Sequence, residues 1–430
     1  MNGRAIISSL KESEILRNTS ILVSGTALAQ LIPVLLQPLL RRYYSPEAFG
    51  AYSIYLSLVG IFSIVASFKY DLAIVLPKKD REAANILFLS VFISFLFCSI
   101  LAIIFITWRA EIAGFLNLSE DYNFYLMLAP AGIFFFSFYQ TINNWLTRKK
   151  KFMLLSVNKF TRRGVEGAAQ LGLKGLAGSS GLVVGDILGH IANVLSGLFQ
   201  GSKQGLKIDQ LSPVKINYVV RRYSEFPRVN VIPSLMSACS FLLPVIMLNK
   251  FYSTENAGYF DLSKLLLSVP LALISTSVSN VLLQSLTEKI NNRKSLRKDI
   301  ILVLGIVLFI GIVEIIIIAL FGIRIFKFIF GERWELSGRI SQILVWSYAL
   351  NFLVASFSTV FVSLQKIRLL SAWQIFYFFS IISLVFFKNM DFIDFIRMYV
   401  GIEVICYLVI IIVITYIVVK YEKKLPHKHL

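Results

Sequence analysis

Twelve apolar segments recur along this sequence, each long enough to cross ~30 Å of hydrocarbon at 1.5 Å per residue. They run roughly 19–40, 49–68, 84–107, 124–146, 156–177, 181–200, 229–249, 258–285, 300–322, 339–363, 370–388 and 396–419. No water-soluble domain repeats runs of ~18 or more apolar residues in this way. The balance of residues agrees, with 57% hydrophobic and 16% charged among 430 residues and a mean hydropathy of +0.73. A soluble surface of this size needs far more charge. The expected class is an all-α membrane protein of about twelve transmembrane helices, which excludes a soluble enzyme or a secreted domain.

The net charge of +19 does not point to nucleic acid, because the basic residues sit in short loops between apolar runs. With the N-terminus in the cytoplasm, and with Lys159, Arg162, Arg163 and Lys174 of the fifth span counted to the nearer side, 31 of the 43 lysines and arginines fall inside, 11 fall outside, and Lys264 is left within the eighth span. That bias predicts twelve crossings with both termini cytoplasmic. The first segment carries Pro33 and Pro38 and is expected to persist as a transmembrane helix rather than be cleaved as a signal. The longest loop is 201–228, so no large soluble domain is expected between spans. No G-x-x-x-x-G-K-[ST] motif occurs, which argues against a nucleotide as the direct energy source. Cys98, Cys239 and Cys406 all lie in apolar segments and offer neither a disulfide framework nor metal-ligand spacing.

An internal repeat organises the spans. Tyr44-Ser45-Pro46-Glu47-Ala48-Phe49-Gly50 matches Tyr252-Ser253-Thr254-Glu255-Asn256-Ala257-Gly258 at four of seven positions, at an offset of 208. Leu154-Leu155-Ser156 echoes Leu369-Leu370-Ser371 at an offset of 215. Each pair occupies matching places between spans. Six spans per half is an even number, so the halves enter the membrane in the same sense, as in a parallel repeat about the membrane normal. The expected organisation is an N-terminal six-helix lobe over 1–205, a cytoplasmic linker over 206–228 and a C-terminal six-helix lobe over 229–430, the two bundles being pseudo-symmetric around a central cavity.

Charges inside spans are costly, at ~2.5–3.5 kcal/mol each near the helix centre, so they are expected to face a bundle interior or a wet cavity. In the fifth span Lys159, Arg163, Glu166, Gln170 and Lys174 follow steps of 4, 3, 4 and 4 and predict one helical face. The competing reading is an amphipathic helix lying on the membrane surface. In the sixth span Asp186, His190, Asn193, Gly197 and Gln200 also share a face, read either as a polar seam or as a site where Asp186 and His190 trade a proton. Asp261 and Lys264 open the eighth span as a pair that either neutralises itself or presents a cation to the interior. The first span offers Gln30 and Gln37, while Glu314 and Glu403 stand alone in the ninth and twelfth.

Four stretches resemble a known family: Leu40 to Tyr52 after the first span, Tyr70-Asp71-Leu72-Ala73-Ile74-Val75-Leu76-Pro77 after the second, Gly258 to Lys264 opening the eighth, and Phe330-Gly331-Glu332-Arg333-Trp334 before the tenth. They are similar to the bacterial O-antigen and polysaccharide flippases of the multidrug/oligosaccharidyl-lipid/polysaccharide exporter superfamily. The resemblance implies a non-enzymatic transporter of the bacterial inner membrane. Its substrate would be a polyprenyl-diphosphate-linked oligosaccharide, moved from the cytoplasmic to the periplasmic leaflet by alternating access. It also implies a role in lipopolysaccharide or polysaccharide biosynthesis, with glycan assembly proteins as possible partners beside the phospholipid bilayer. Lys159, Arg163, Glu166, Gln170, Lys174 and Lys264 are then candidates for substrate binding, and Asp186, His190, Asn193 and Asp261 for coupling or gating. No cofactor and no catalytic residue are expected, though a proton or sodium gradient is a possible driver. The alternatives are an ion-coupled multidrug exporter of the same fold, which would want an acidic cavity, and a membrane glycan polymerase or ligase, which would want a large outside loop.

Overall fold

A computed structural model describes residues 14–425 except 208 and 210, with side chains from residue 29 onward. His427, His429 and the first basic residues of the chain lie outside it. Twelve long helices carry the fold: α1 Glu14–Tyr43, α2 Pro46–Ala66, α3 Asp80–Thr107, α4 Asn123–Arg148, α5 Phe152–Gly172, α6 Gly181–Lys203, α7 Val231–Phe251, α8 Thr254–Asn291, α9 Arg297–Phe330, α10 Glu335–Phe357, α11 Ile367–Ile382 and α12 Phe392–Glu422. The described residues form helices and turns with no strand, and ten of their helices are long and apolar enough to cross a membrane. Neither α1 nor α5 is among those ten, and α5 is the helix with the charged stripe. The chain is therefore an all-α membrane protein.

Contacts divide the described residues into two units, the first ending at Ala238 and the second beginning at Cys239, a border that falls inside α7. The segment over 206–228 contains a helix, Pro213–Arg222, which docks on α3 within the first unit. Val219 there is fully buried, the Tyr223 hydroxyl donates to Glu82 Oε1 at 2.9 Å, and the Ser212 amide donates to Asn85 Oδ1 at 3.0 Å.

In the first unit, α4 packs against α2, α3 and α6, and α5 packs against α1 and α6. Trp145, Ile142 and Leu146 of α4 anchor a core with Ile74, Ile86 and Val219. The Tyr70–Pro77 stretch is tied down here. Buried Asp71 accepts from Ser67 Oγ at 2.6 Å and from Asn144 Nδ2 at 3.1 Å. Arg148 bonds the Pro77 carbonyl and pairs with Asp80 at 3.1 Å.

In the second unit, α10 is central and packs on α8, α9 and α12. Leu344 and Val345 meet Phe260, Phe395 and Tyr399 in its core. Trp334 is fully buried with its ring edge-on to Tyr259 at 5.8 Å, and Ser263 Oγ donates to the Ser337 carbonyl at 2.7 Å, so the second pair of resembling motifs packs together. Helix α9 turns Phe309, Ile312 and Leu320 outward, a face suited to lipid.

The repeat has a local physical basis. Ser45 and Ser253 are N-caps whose hydroxyls accept from Ala48 N at 3.2 Å and Asn256 N at 3.1 Å, opening α2 and α8. Tyr44 and Tyr252, one residue before each cap, both donate to backbone, to Gln170 O at 2.6 Å and Met390 O at 2.7 Å. The turns before α5 and α11 also correspond. Lys150 (φ 54°) and Gln365 (φ 53°) stand in left-handed backbone, and Lys151 N and Lys366 N bond back to Leu146 O and Phe361 O at 2.9 and 2.7 Å. This Schellman closure normally takes glycine, and its offset of 215 equals that of the Leu-Leu-Ser echo just downstream.

Helices α5 and α6 approach closely where α6 is glycine. A Cβ at Gly189 would lie 2.9 Å from both the Arg162 carbonyl and Glu166 Cβ. Gly189→Val should therefore force the pair apart and cost about 1–3 kcal/mol. Its thermal unfolding midpoint in detergent should fall below that of the parent, and an unchanged midpoint would contradict this packing.

Candidate functional site

The charged faces predicted in the fifth and sixth spans meet in the first unit. Asp186 of α6 is 1% exposed. It accepts from the Tyr55 hydroxyl of α2 at 3.0 Å and faces Arg162 Nη2 at 3.4 Å and His190 Nε2 at 3.5 Å. His190 is equally buried and lies against the rings of Phe136 and Tyr139, with centroids at 5.1 and 5.6 Å. On α5, Glu166 receives Arg163 Nη1 at 2.8 and 3.0 Å, with Arg162 Nε at 3.8 Å. One turn on, Gln170 donates to Tyr52 OH at 3.2 Å and to Leu182 O at 3.1 Å. Tyr52 stacks on Tyr55 at 5.9 Å, which links the Gln170 and Asp186 ends of the cluster.

Asn193 serves the seam below. Its Nδ2 donates to Asn158 O at 2.9 Å, while the Asn158 side chain engages Ser196 at 2.8 Å and Gln200 at 2.9 and 3.0 Å. The lower half of the α6 face is thus a hydrogen-bonded polar seam and the upper half a charge cluster.

A cavity of about 430 Å³ opens beside the cluster, lined by Gln30, Tyr139, Gln140, Lys159, Arg162 and Arg163 among others. Its charged lining is entirely cationic. Asp186 and Glu166 stand behind the guanidiniums and hold them in place. Arg162 was not singled out by the stripe, yet it is the cation that reaches Asp186. Its signal is the i, i+4 step from Arg162 to Glu166. Tyr52 and Tyr55, likewise unselected, are three residues apart on α2.

Lys174 departs from the predicted face. Helix α5 ends at Gly172, not at residue 177, and Lys174 begins a separate one-turn helix, Lys174–Ala177, with its ammonium 4.5 Å from the Tyr44 ring centroid. Four consecutive polar steps do not keep a helix intact across Gly172, where a missing Cβ makes a break inexpensive.

Asp261 and Lys264 belong to the second unit. Lys264 is 8% exposed, donates to the Phe241 carbonyl at 2.5 Å and lies 3.4 Å from that ring's centroid. Glu403, solitary in the sequence, accepts from Tyr377 OH at 2.8 Å, and Tyr407 OH lies at 3.4 Å. Among the described residues, no group of three or more His, Cys, Asp or Glu side chains is placed to hold a metal ion. An Arg pair and a lysine around a cavity can instead grip phosphate oxygens, Arg in two-pronged fashion and Lys as a point charge.

A family model described as polysaccharide biosynthesis protein matches residues 39–338. No curated protein matches. Among solved structures, the lipid II flippase MurJ in an inward closed conformation matches with a TM-score of 0.76 at 14% identity, over 93% of this chain and 89% of that one. An inward-facing multidrug resistance MATE family transporter of the MOP superfamily matches with a TM-score of 0.72 at 14% identity, over 93% of this chain and 99% of that one. The Vibrio cholerae MATE transporter VcmN in its bent form matches at 0.55 and 11% identity, over 94% of this chain and 99% of that one. At these identities the likeness is one of fold.

Proposed function

The chain belongs to the polysaccharide biosynthesis protein family, and from that membership we propose that it flips a polyprenyl-diphosphate-linked oligosaccharide, an O-antigen or capsule repeat unit, from the cytoplasmic to the periplasmic leaflet of the bacterial inner membrane. The observation that carries this reading is the cationic lining of the cavity by Lys159, Arg162 and Arg163. A diphosphate and a hydrophilic glycan need a wet, positive chamber, while a polyprenyl tail stays in lipid. Alternating opening of the two units to the two sides would move the head group across. An exporter of cationic drugs is the runner-up, and it would need the carboxylates in front of the arginines rather than behind them. We assign Asp186 and His190 to coupling with an ion gradient, because one buried carboxylate faces both a histidine and Arg162.

Vesicles containing the purified chain and a fluorescent lipid-linked oligosaccharide test the reading. The label should become accessible in the opposite leaflet faster than in empty vesicles. Unchanged accessibility, together with uptake of cationic dyes, would contradict it and favour the exporter. Orientation is tested separately. Reporter fusions at residues 200 and 425 should both read cytoplasmic, as the charge bias requires. A periplasmic signal at either would overturn the two-times-six topology.

A further inference from the structure

We propose that a basic groove at the end of α12, in the second unit, binds the phosphate of an anionic phospholipid. The groove has a volume of about 940 Å³ and lies where the turn between the short helix Thr359–Ser363 and α11 meets the last turns of α12. Four cations line it, Lys366, Arg368, Lys420 and Lys424, and no carboxylate does. None of the four is in a salt bridge with another described residue. Glu422, in the same turn of α12, is turned away and accepts from the Leu296 amide at 2.6 Å. Lys420 is steadied instead by Tyr416, whose hydroxyl accepts from its ammonium at 3.3 Å.

Charge and shape together select the occupant. Two cations stand on the turn into α11 and two on the end of α12, so a single phosphate can be gripped from two elements. Helix α11 begins at Ile367, and its positive dipole end adds to the attraction. Beside the cations, Ile367 (56% exposed) and Leu369 (42%) offer a partly exposed apolar flank, continued along α12 by Tyr416 (58%) and Ile412 (66%). A free phosphate would use the cations and leave this flank bare. A phospholipid uses both, placing its head group at the helix ends, its acyl chains along α12 and the Tyr416 ring at the interface. The site is separate from the cavity of the first unit and does not depend on the transport reading.

Native mass spectrometry of the full chain in detergent tests this, with phosphatidylglycerol, phosphatidylethanolamine, inorganic phosphate and a polyprenyl diphosphate as probes. Phosphatidylglycerol should be retained in preference to phosphatidylethanolamine. Arg368→Gln and Lys420→Gln should each weaken its binding about fivefold while leaving phosphatidylethanolamine unaffected. Arg368→Lys should bind nearly as the parent does, and Lys78→Gln, outside the groove, should change nothing. Equal retention of the two lipids by the parent, or unchanged binding in both Gln variants, would overturn the proposal. Displacement by inorganic phosphate would reduce the groove to a simple anion site, and preferential capture of the polyprenyl diphosphate would reassign it to the carrier lipid. Either result also overturns it.

Discussion

Arg162→Met is expected to destabilise the first unit by about 3–5 kcal/mol, the range found when one partner of a buried ion pair is removed. Without it, Asp186 at 1% exposure keeps only the Tyr55 hydroxyl and His190. The thermal midpoint in detergent should fall steeply. The diagnostic result is the double variant, Arg162→Met with Asp186→Asn, which removes the stranded charge and should recover much of the loss. If the single variant is as stable as the parent, Asp186 is not held by Arg162. If the double variant is no better than the single, the loss comes from packing of the guanidinium on Tyr139, 5.5 Å away, rather than from charge.

Arg163→Ala is expected to slow flipping by about 10–100-fold, the equivalent of the ~1.5–3 kcal/mol carried by hydrogen bonds to charged groups. Arg163→Lys should rescue only in part, because a point charge replaces a two-pronged contact. Loss of Arg163 also leaves Glu166 with only the more distant Arg162 Nε, at 3.8 Å, so stability must be separated from transport. Arg163→Ala combined with Glu166→Gln removes both charges. That pair should restore the thermal midpoint and leave flipping impaired. Restored flipping in the double variant would make Arg163 a structural counter-ion and exclude it from substrate binding.

Much of the architecture was legible in the sequence because hydrophobic length is a local property. Every one of the twelve apolar segments corresponds to a long helix, with ends shifted by up to eight residues. The repeat was legible for an equally local reason. Ser45 and Ser253 are cap residues, so the match survives where helix-start chemistry constrains it and fades elsewhere. The missed features are tertiary. The partners of Glu403 come from α10, from α11 and from its own helix, and nothing in the spacing of Tyr377 predicts that its hydroxyl will find that carboxylate. Arg162 and Arg163 are neighbours about 100° apart on a helix. Periodicity chose Arg163, yet Arg162 spans the helix interface to Asp186, because a long side chain reaches beyond its own face. The break after Gly172 was hidden because glycine permits both a close-packed helix and its end.

The central claim is that the basic face of α5 lines an aqueous cavity that receives the anionic head of the substrate. The most direct measurement is labelling of single cysteines along 156–172 with a water-soluble thiol reagent, in a chain whose Cys98, Cys239 and Cys406 have been replaced. Reactivity should be highest at 159, 162 and 163, which line the cavity, and low at the buried positions 166 and 170. Lipid-linked oligosaccharide should protect the reactive positions, and a cationic dye should not. Equal labelling at 157 and 160, whose native side chains point outward, or reactive positions that the oligosaccharide fails to protect, would contradict the account.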